Sequence, residues 1–325
     1  MSGELDLTYL QRHREEITNA AGRVAPYTRW TPMLTTDLDP CLRLKPECFQ
    51  VTGSFKARGA FNAILQLKGM QPEAHGVIAV SSGNHAQAVA LAARTVGLPA
   101  VILIPEDANP AKVAATRALG AEVIQEGITF ANREQRLREV MAERGFVLVH
   151  PFDDWDVIHG QGTAVRELLH DEPELDVVAT PVGGGGLLAG SAISAKSHRP
   201  GLKVVGVEPA AADDAYRTWR SGAIQTLATS PATLADGVRT TAIGTRNFEV
   251  MFGHGLVDEI VTVTEEEIAG AVQVAWSRLH LALEPTGTLP LAAYLSGKLP
   301  KGRAGLVLSG GNANLQTVAT LLETK

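Results

Sequence analysis

Short apolar runs rich in β-branched residues alternate along the chain with segments of helical length. No other feature restricts the fold so strongly. The runs are Val77–Val80, Ala100–Ile104, Val147–Val149, Val177–Thr180, Val204–Val207, Ile260–Val263 and Gly305–Leu308. Between them lie Ala86–Thr95, Ala111–Leu119, Asn132–Glu143, Val157–Leu169, Leu187–Lys196 and Glu265–Leu283. A parallel neighbour strand needs a long crossover, usually a helix, so this order predicts βαβ units in an α/β fold. The runs are apolar almost throughout, as strands covered on both faces must be. With 325 residues and about 100–200 residues per domain, two domains are expected. The turn Pro151-Phe152-Asp153-Asp154 is the best border. It makes residues 67–154 a smaller α/β unit inserted in a larger one of residues 1–66 and 155–325.

Net charge excludes several function classes. Lys and Arg number 29 against 35 Asp and Glu, a balance of −6 with no basic tract. That argues against non-specific nucleic-acid binding. The two cysteines, Cys41 and Cys48, are too few for a disulfide framework or a zinc cluster. The opening Met1-Ser2-Gly3-Glu4-Leu5-Asp6 is polar and acidic, unlike a secretory leader. No apolar run approaches the ~18 residues of a membrane span. A cytoplasmic protein without membrane attachment is expected.

Four clusters directly follow predicted strands: Ser81-Ser82-Gly83-Asn84-His85, Gly183–Gly186, Glu208-Pro209 and Ser309-Gly310-Gly311-Asn312. Open α/β sheets bind ligands at the carboxyl ends of their strands, so these loops can share one crevice. The glycine run precedes a helix, where backbone N–H groups and the helix dipole favour a phosphate. A rival reading fits the same segment. Gly184-x-Gly186-x-x-Ala189 matches a dinucleotide fingerprint, and Glu208 stands where its ribose-binding acid belongs, which keeps a dinucleotide-dependent oxidoreductase open.

Thr52-Gly53-Ser54-Phe55-Lys56-Ala57-Arg58-Gly59 decides between them. Ser54 reads as the N-cap of a helix running through Lys68. Lys56 then sits in the first turn, where the dipole disfavours a cation, beside an aromatic ring. Desolvation there lowers an amine's pKa and makes it a nucleophile for Schiff-base chemistry. On physics alone, a solvated surface lysine fits equally well.

Taken together, Thr52–Gly59, Ser81–His85, Gly183–Gly186 and Ser309–Asn312 resemble the pyridoxal-phosphate enzymes of the tryptophan-synthase-β fold, above all threonine dehydratases and serine racemases. The resemblance spans nearly the whole chain. It implies two open, twisted, mostly parallel sheets flanked by helices, with pyridoxal 5'-phosphate in a cleft between two domains. Lys56 would form the internal aldimine, with Phe55 packed beside the cofactor. Gly183, Gly184, Gly185, Gly186 and Leu187 would hold the phosphate. Asn84 would bond the ring hydroxyl, and Ser309 would face the pyridine nitrogen. Ser81, Ser82, Asn84 and His85 would cradle the substrate carboxylate. A serine cannot keep the ring nitrogen charged as an aspartate does, and this favours prompt loss of a β-hydroxyl over transamination.

The resemblance also implies a divalent cation, Mg²⁺ or Ca²⁺, at Glu208, Ala212 and Asp214, a suitable set of hard oxygen ligands. The activity expected is an ammonia-lyase acting on L-threonine and L-serine. Ser82 keeps serine racemisation open, and dehydratases of hydroxyaspartate or phenylserine remain alternatives. Val51 replaces a lysine of the racemases' nucleotide effector site. The chain ends soon after the Ser309 motif, so no isoleucine-binding regulatory domain and no isoleucine inhibition are expected. A homodimer is usual for the fold. His150, His159 and His254 lack ligand spacing, Arg133 reads as a solvated helix face, and Thr264 reads as the cap of a helix opening with Glu265-Glu266-Glu267.

Overall fold

The computed structural model describes residues 5–323 apart from Asn109 and Phe130. Met1–Glu4, on which part of the leader reading rests, lie outside the described residues. All seven expected runs are strands, and they divide between two sheets. The larger sheet contains β1 (Leu34–Thr35), β2 (Leu42–Pro46), β7 (Val177–Pro181), β8 (Lys203–Pro209), β9 (Glu259–Val263) and β10 (Ala304–Leu308). Its order is β1-β2-β10-β7-β8-β9, and β1 with β2 is its antiparallel pair. The smaller sheet contains β3 (Val77–Val80), β4 (Ala100–Leu103), β5 (Glu122–Ile124) and β6 (Val147–Leu148). Its order is β5-β4-β3-β6, and all its pairs are parallel. Strands β4, β7 and β10 are buried at every residue, as the continuous apolar runs require.

Three strands have no counterpart among the expected runs. β5 is three residues long at a sheet edge. β1 has two residues. β2 carries Lys45 and Pro46, which break the apolar pattern. Lys45 is nevertheless fully buried, because its amine bonds Glu167 at 2.7 Å and the Thr31 carbonyl at 2.6 Å. The last expected helix is also shorter than read, Glu265–Ser277, since His280 turns left-handed at φ 55°. Its start matches: Thr264 and Glu267 form a capping box.

The helices that place the site are α1 (Leu7–Val24), α2 (Lys56–Met70), α3 (Asn84–Thr95), α4 (Pro110–Ala118), α5 (Arg133–Arg144), α6 (Trp155–Asp171), α7 (Gly186–His198) and α8 (Asp214–Ser221). Glycines let α6 touch its neighbours backbone to backbone. A β-carbon on Gly160 would lie 2.6 Å from the Arg58 carbonyl of α2, and one on Gly190 of α7 would lie 2.3 Å from the Ile158 carbonyl. The first turn of α2 is pinned by charge as well. Arg58 is fully buried and pairs with Glu47 at 2.7 Å and Glu167 at 2.6 Å. Two cations, Lys45 and Arg58, thus meet two carboxylates, which is how buried charge is tolerated. Among the described residues no helix is long and apolar enough to cross a membrane.

Candidate active site

The segment before α2 is bent by two consecutive left-handed residues, Thr52 at φ 61° and Gly53 at φ 71°. The bend throws Ser54 into extended backbone, where it bridges Gly310. Phe55 N–H then donates to the Ser309 carbonyl at 3.0 Å, and Gly311 N–H donates to the Gly53 carbonyl at 2.9 Å. These bonds stitch the lysine segment to the loop after β10. They also correct the reading of Ser54 as a helix cap. Phe55 occupies the cap position, no side chain caps this helix, and the Ser54 hydroxyl is buried without a partner. Pairing with Gly310 has taken Ser54 away from the helix axis.

Lys56 opens α2, as expected. Its half-buried amine donates to the Pro151 carbonyl at 2.7 Å and lies 5.2 Å from the centre of the Phe55 ring. Burial lowers the ammonium from its ordinary 10.5 to about 8, opposed by the nearby Glu284 carboxylate. Only the neutral amine attacks an aldehyde. Reloading of stripped protein with pyridoxal phosphate is therefore expected to accelerate about tenfold per pH unit up to pH ~8 and to flatten above it. Stopped-flow absorbance checks this; acceleration continuing to pH ~10 would show an ordinary, solvated lysine.

The glycine run follows β7 and opens α7. Gly185 is left-handed at φ 98°, and no side chain caps the helix. The Gly184 carbonyl is held from behind by the Asn247 amide at 2.7 Å and by Gly244 N–H at 3.0 Å. A β-carbon on Gly184 would lie 2.3 Å from the Phe152 ring, and one on Gly183 would lie 3.1 Å from Val238. Gly186 and Leu187 begin the first turn, whose N–H groups have no intrahelical acceptor. Leu187 itself is buried in the core. The arrangement leaves backbone N–H groups free to receive an anion.

A second uncapped helix start belongs to α3, with Gly83 at its cap. Ser81 Oγ accepts from Gly83 N–H at 3.2 Å, and Ser82 is exposed. Asn84 donates to Glu284 at 2.7 Å and accepts from Asn312 at 2.8 Å, which ties this loop to the loop after β10. The His85 ring is buried against the Val149 carbonyl at 2.8 Å, and burial pushes it down to about 3. His85 therefore offers a carboxylate only its backbone. Ser309 is buried, and its hydroxyl has no protein partner.

Three of the four loops thus meet around Lys56, while the Glu208 loop serves a different helix. The Glu208 carboxyl accepts from Ala215 N–H at 3.2 Å and Tyr216 N–H at 2.6 Å, capping α8. A carboxyl engaged there is a poor ribose ligand, and the dinucleotide reading loses its acid. Burial pushes Glu208 up to about 9 and Asp214 up to about 7. Asp214 Oδ2 is buried without a partner, and Ala212 beside it is buried too. Among the described residues no group of three His, Cys, Asp or Glu side chains is placed to hold a metal ion. The expected set has two such side chains and would need the Ala212 carbonyl.

Two site residues escaped the sequence reading. Asn247 braces the glycine run and the Phe152 carbonyl. Glu284 is buried beside Asn84 and Gly310, and burial with the neighbouring Asp236 raises its carboxyl to about 7. An isolated acid in Leu281-Ala282-Leu283-Glu284-Pro285 was the available signal.

The crevice therefore combines a desolvated amine, an uncapped glycine-rich helix start and an orphaned buried hydroxyl. The profile of a family described as pyridoxal-phosphate dependent enzyme matches residues 24–310. The chain belongs to the pyridoxal-phosphate dependent enzymes. An L-threo-3-hydroxyaspartate ammonia-lyase of Saccharomyces cerevisiae is 42% identical over 95% of this chain and 96% of its own length. A serine racemase of Schizosaccharomyces pombe is 39% identical over 95% and 96%. The crystal structure of a T.th. threonine deaminase superposes with a TM-score of 0.88 at 47% identity, over 93% of this chain and 98% of that one. This pyridoxal-phosphate enzyme therefore has the tryptophan-synthase-β-like fold, with two open, mostly parallel sheets flanked by helices.

Proposed function

We propose that this enzyme is an ammonia-lyase that removes water from β-hydroxy amino acids, L-threonine and L-serine foremost. The observation that carries the reading is the half-buried, pKa-lowered amine of Lys56 lying among the glycine run, the start of α3 and Ser309. Bound there, pyridoxal phosphate would serve as an electron sink that acidifies the substrate's Cα–H bond. The chain's own groups do the rest. Lys56 would hold the cofactor, and its free amine would take the Cα proton. The Gly183–Gly186 turn, Leu187 and the start of α7 bind the phosphate, and Phe55 packs beside the ring. Ser81, Ser82, Asn84 and the backbone of His85, at the start of α3, bind the substrate carboxylate. Asn84 offers its amide to the ring hydroxyl. Ser309, a neutral hydroxyl, would leave the ring nitrogen uncharged and so favour prompt loss of the β-hydroxyl, which would leave as water with the proton that Lys56 took from Cα. The enamine product hydrolyses to a 2-oxo acid and ammonia. In this reading residues 67–154, which hold the smaller sheet, are the smaller domain.

Two observations favour a second reading in which racemisation or hydroxyaspartate turnover dominates. Ser82 is exposed beside the start of α3, where a hydroxyl is available as a second acid or base. The relatives include a serine racemase and a hydroxyaspartate ammonia-lyase. A panel of L-threonine, L-serine, L-threo-3-hydroxyaspartate and L-phenylserine separates the readings, assayed for 2-oxo acid and for loss of chirality. Oxo acid from threonine and serine is expected. Turnover confined to hydroxyaspartate, or racemisation outpacing elimination, would contradict it.

A divalent cation, Mg²⁺ or Ca²⁺, is proposed at Glu208, Asp214 and the Ala212 carbonyl. The buried, unpartnered Asp214 oxygen and the burial that raises both carboxyls support it. Raised folded-state values mean stability is retained below the ordinary carboxyl range of about 4 and is lost progressively as pH climbs from there to about 7 for Asp214 and about 9 for Glu208. A bound cation offsets that loss by about 2.7 kcal/mol at 100 times its dissociation constant. Metal-stripped protein is therefore expected to melt progressively lower from pH ~6 to ~9, and Mg²⁺ or Ca²⁺ to restore it. Identical melting with and without cation across this range would remove the site.

A further inference from the structure

Glu284 has no role in the scheme above, yet it stands at one end of an unbroken chain of polar contacts. At the other end is the Thr52 carbonyl, which can only accept. Asn312 Nδ2 donates to it at 2.7 Å. The same nitrogen donates to Asn84 Oδ1 at 2.8 Å. The other atom of the Asn84 amide must then be nitrogen, and it donates to Glu284 Oε1 at 2.7 Å. An ionised carboxylate also only accepts. Both ends of the chain are acceptors, so the polarity of the Asn84 amide between them is fixed. One Asn84 hydrogen goes to Glu284, and the second remains for another acceptor.

The surroundings keep this arrangement tight. Glu284 is 3% exposed. Its own N–H donates to the Gly310 carbonyl at 3.1 Å, next to Ser309. A β-carbon on Gly310 would fall 2.6 Å from Glu284 Oε1 and 3.3 Å from Asn84 Nδ2, so side chain and loop leave each other no room. A β-carbon on Gly53 would likewise strike Asn312 Oδ1 at 2.6 Å.

We propose that Glu284 is a positioning residue that, with Asn312, locks the Asn84 amide with its nitrogen toward the ring oxygen of the bound cofactor. The inference rests on the reading of Asn84 given under the proposed function. A donor at that oxygen favours its ionised form. Glu284 holds the donor most firmly when it is ionised itself, because a carboxylate accepts more strongly than a neutral carboxyl and has no hydrogen to turn toward the Asn84 nitrogen. Lys56 of α2, Lys112 of α4, Asp236 and Cys48 are the titratable groups that face it. Its carboxyl titrates at about 7, so the lock lies within reach of ordinary pH.

The test uses protein loaded with pyridoxal phosphate and three forms: parent, Glu284→Gln and Glu284→Ala. The readouts are the absorption spectrum of the bound cofactor across pH ~6–8, the cofactor dissociation constant and the melting temperature. In the parent, the ratio of the two ring-oxygen forms is expected to change with a midpoint near the Glu284 value of about 7. Glutamine keeps an acceptor but cannot ionise, so Glu284→Gln should bind cofactor like the parent and lose the midpoint. Glu284→Ala leaves Asn84 held only by Asn312. It should bind cofactor about tenfold more weakly and favour the un-ionised ring oxygen at every pH. Parent-like spectra and midpoints in both variants would overturn the proposal, as would a fall in melting temperature with no spectral change. A parent that takes up no cofactor would overturn the functional reading itself, a result distinguishable from either of these.

Discussion

Lys56→Ala is expected to lower turnover of L-threonine and L-serine by at least about 10⁴-fold, because the proposed scheme assigns both covalent attachment and proton removal to one nitrogen. Neither role has an evident understudy. His85 is turned to the Val149 carbonyl and held neutral, and Glu284 is tied to Asn84. The fold should survive, since the amine's hydrogen bond is a single contact to the Pro151 carbonyl. Removing a buried, partly desolvated cation also relieves its desolvation. Steady-state oxo-acid formation and circular dichroism check the two halves. A variant within tenfold of the parent would place the base elsewhere.

Gly185→Ala should have the second largest effect, and it acts on cofactor binding. At φ 98° a β-carbon costs about 1–2 kcal/mol of backbone strain. It would also fall 2.8 Å from the β-carbon of Asn247, whose amide holds the Gly184 carbonyl. The turn must open or Asn247 must retreat, and either disperses the N–H groups offered to the phosphate. A loss of about 10²-fold in cofactor affinity is expected, equivalent to about 3 kcal/mol. Gly97→Ala is the control. Its φ of 71° carries similar strain, but nothing lies within 4 Å of the added carbon. It should lower the melting temperature and leave cofactor affinity unchanged. Equal affinity losses in both variants would mean that global strain, not the cradle, is responsible.

Much of the architecture was legible because its cause is local. Strands such as Val77–Val80 and Ala100–Leu103 are apolar on both faces, and the intervening helices have the length a parallel crossover needs. What stayed hidden depends on distant partners. Lys45 makes β2 look like a loop until Glu167, far along the chain, neutralises it. Ser54 looks like a helix cap until Gly310 pairs with it and draws it into extended backbone. The same long-range pairing decided the site. Lys56, the glycine run and Ser309 could be picked out from residue type and position, with the family resemblance supplying their roles. Glu284 could not, because its importance lies in a hydrogen bond to a residue 200 positions away. Glu208 misled for the opposite reason: its spacing from the glycines suits a ribose, while its carboxyl is spent on α8.

The central claim is that the ε-amine of Lys56 carries pyridoxal phosphate. Borohydride reduction of the fully loaded protein, followed by proteolysis and peptide mass mapping, addresses it directly. A phosphopyridoxyl adduct confined to the peptide containing Lys56 is the result expected. An adduct on another lysine, or none in protein that retains its cofactor, would contradict the account.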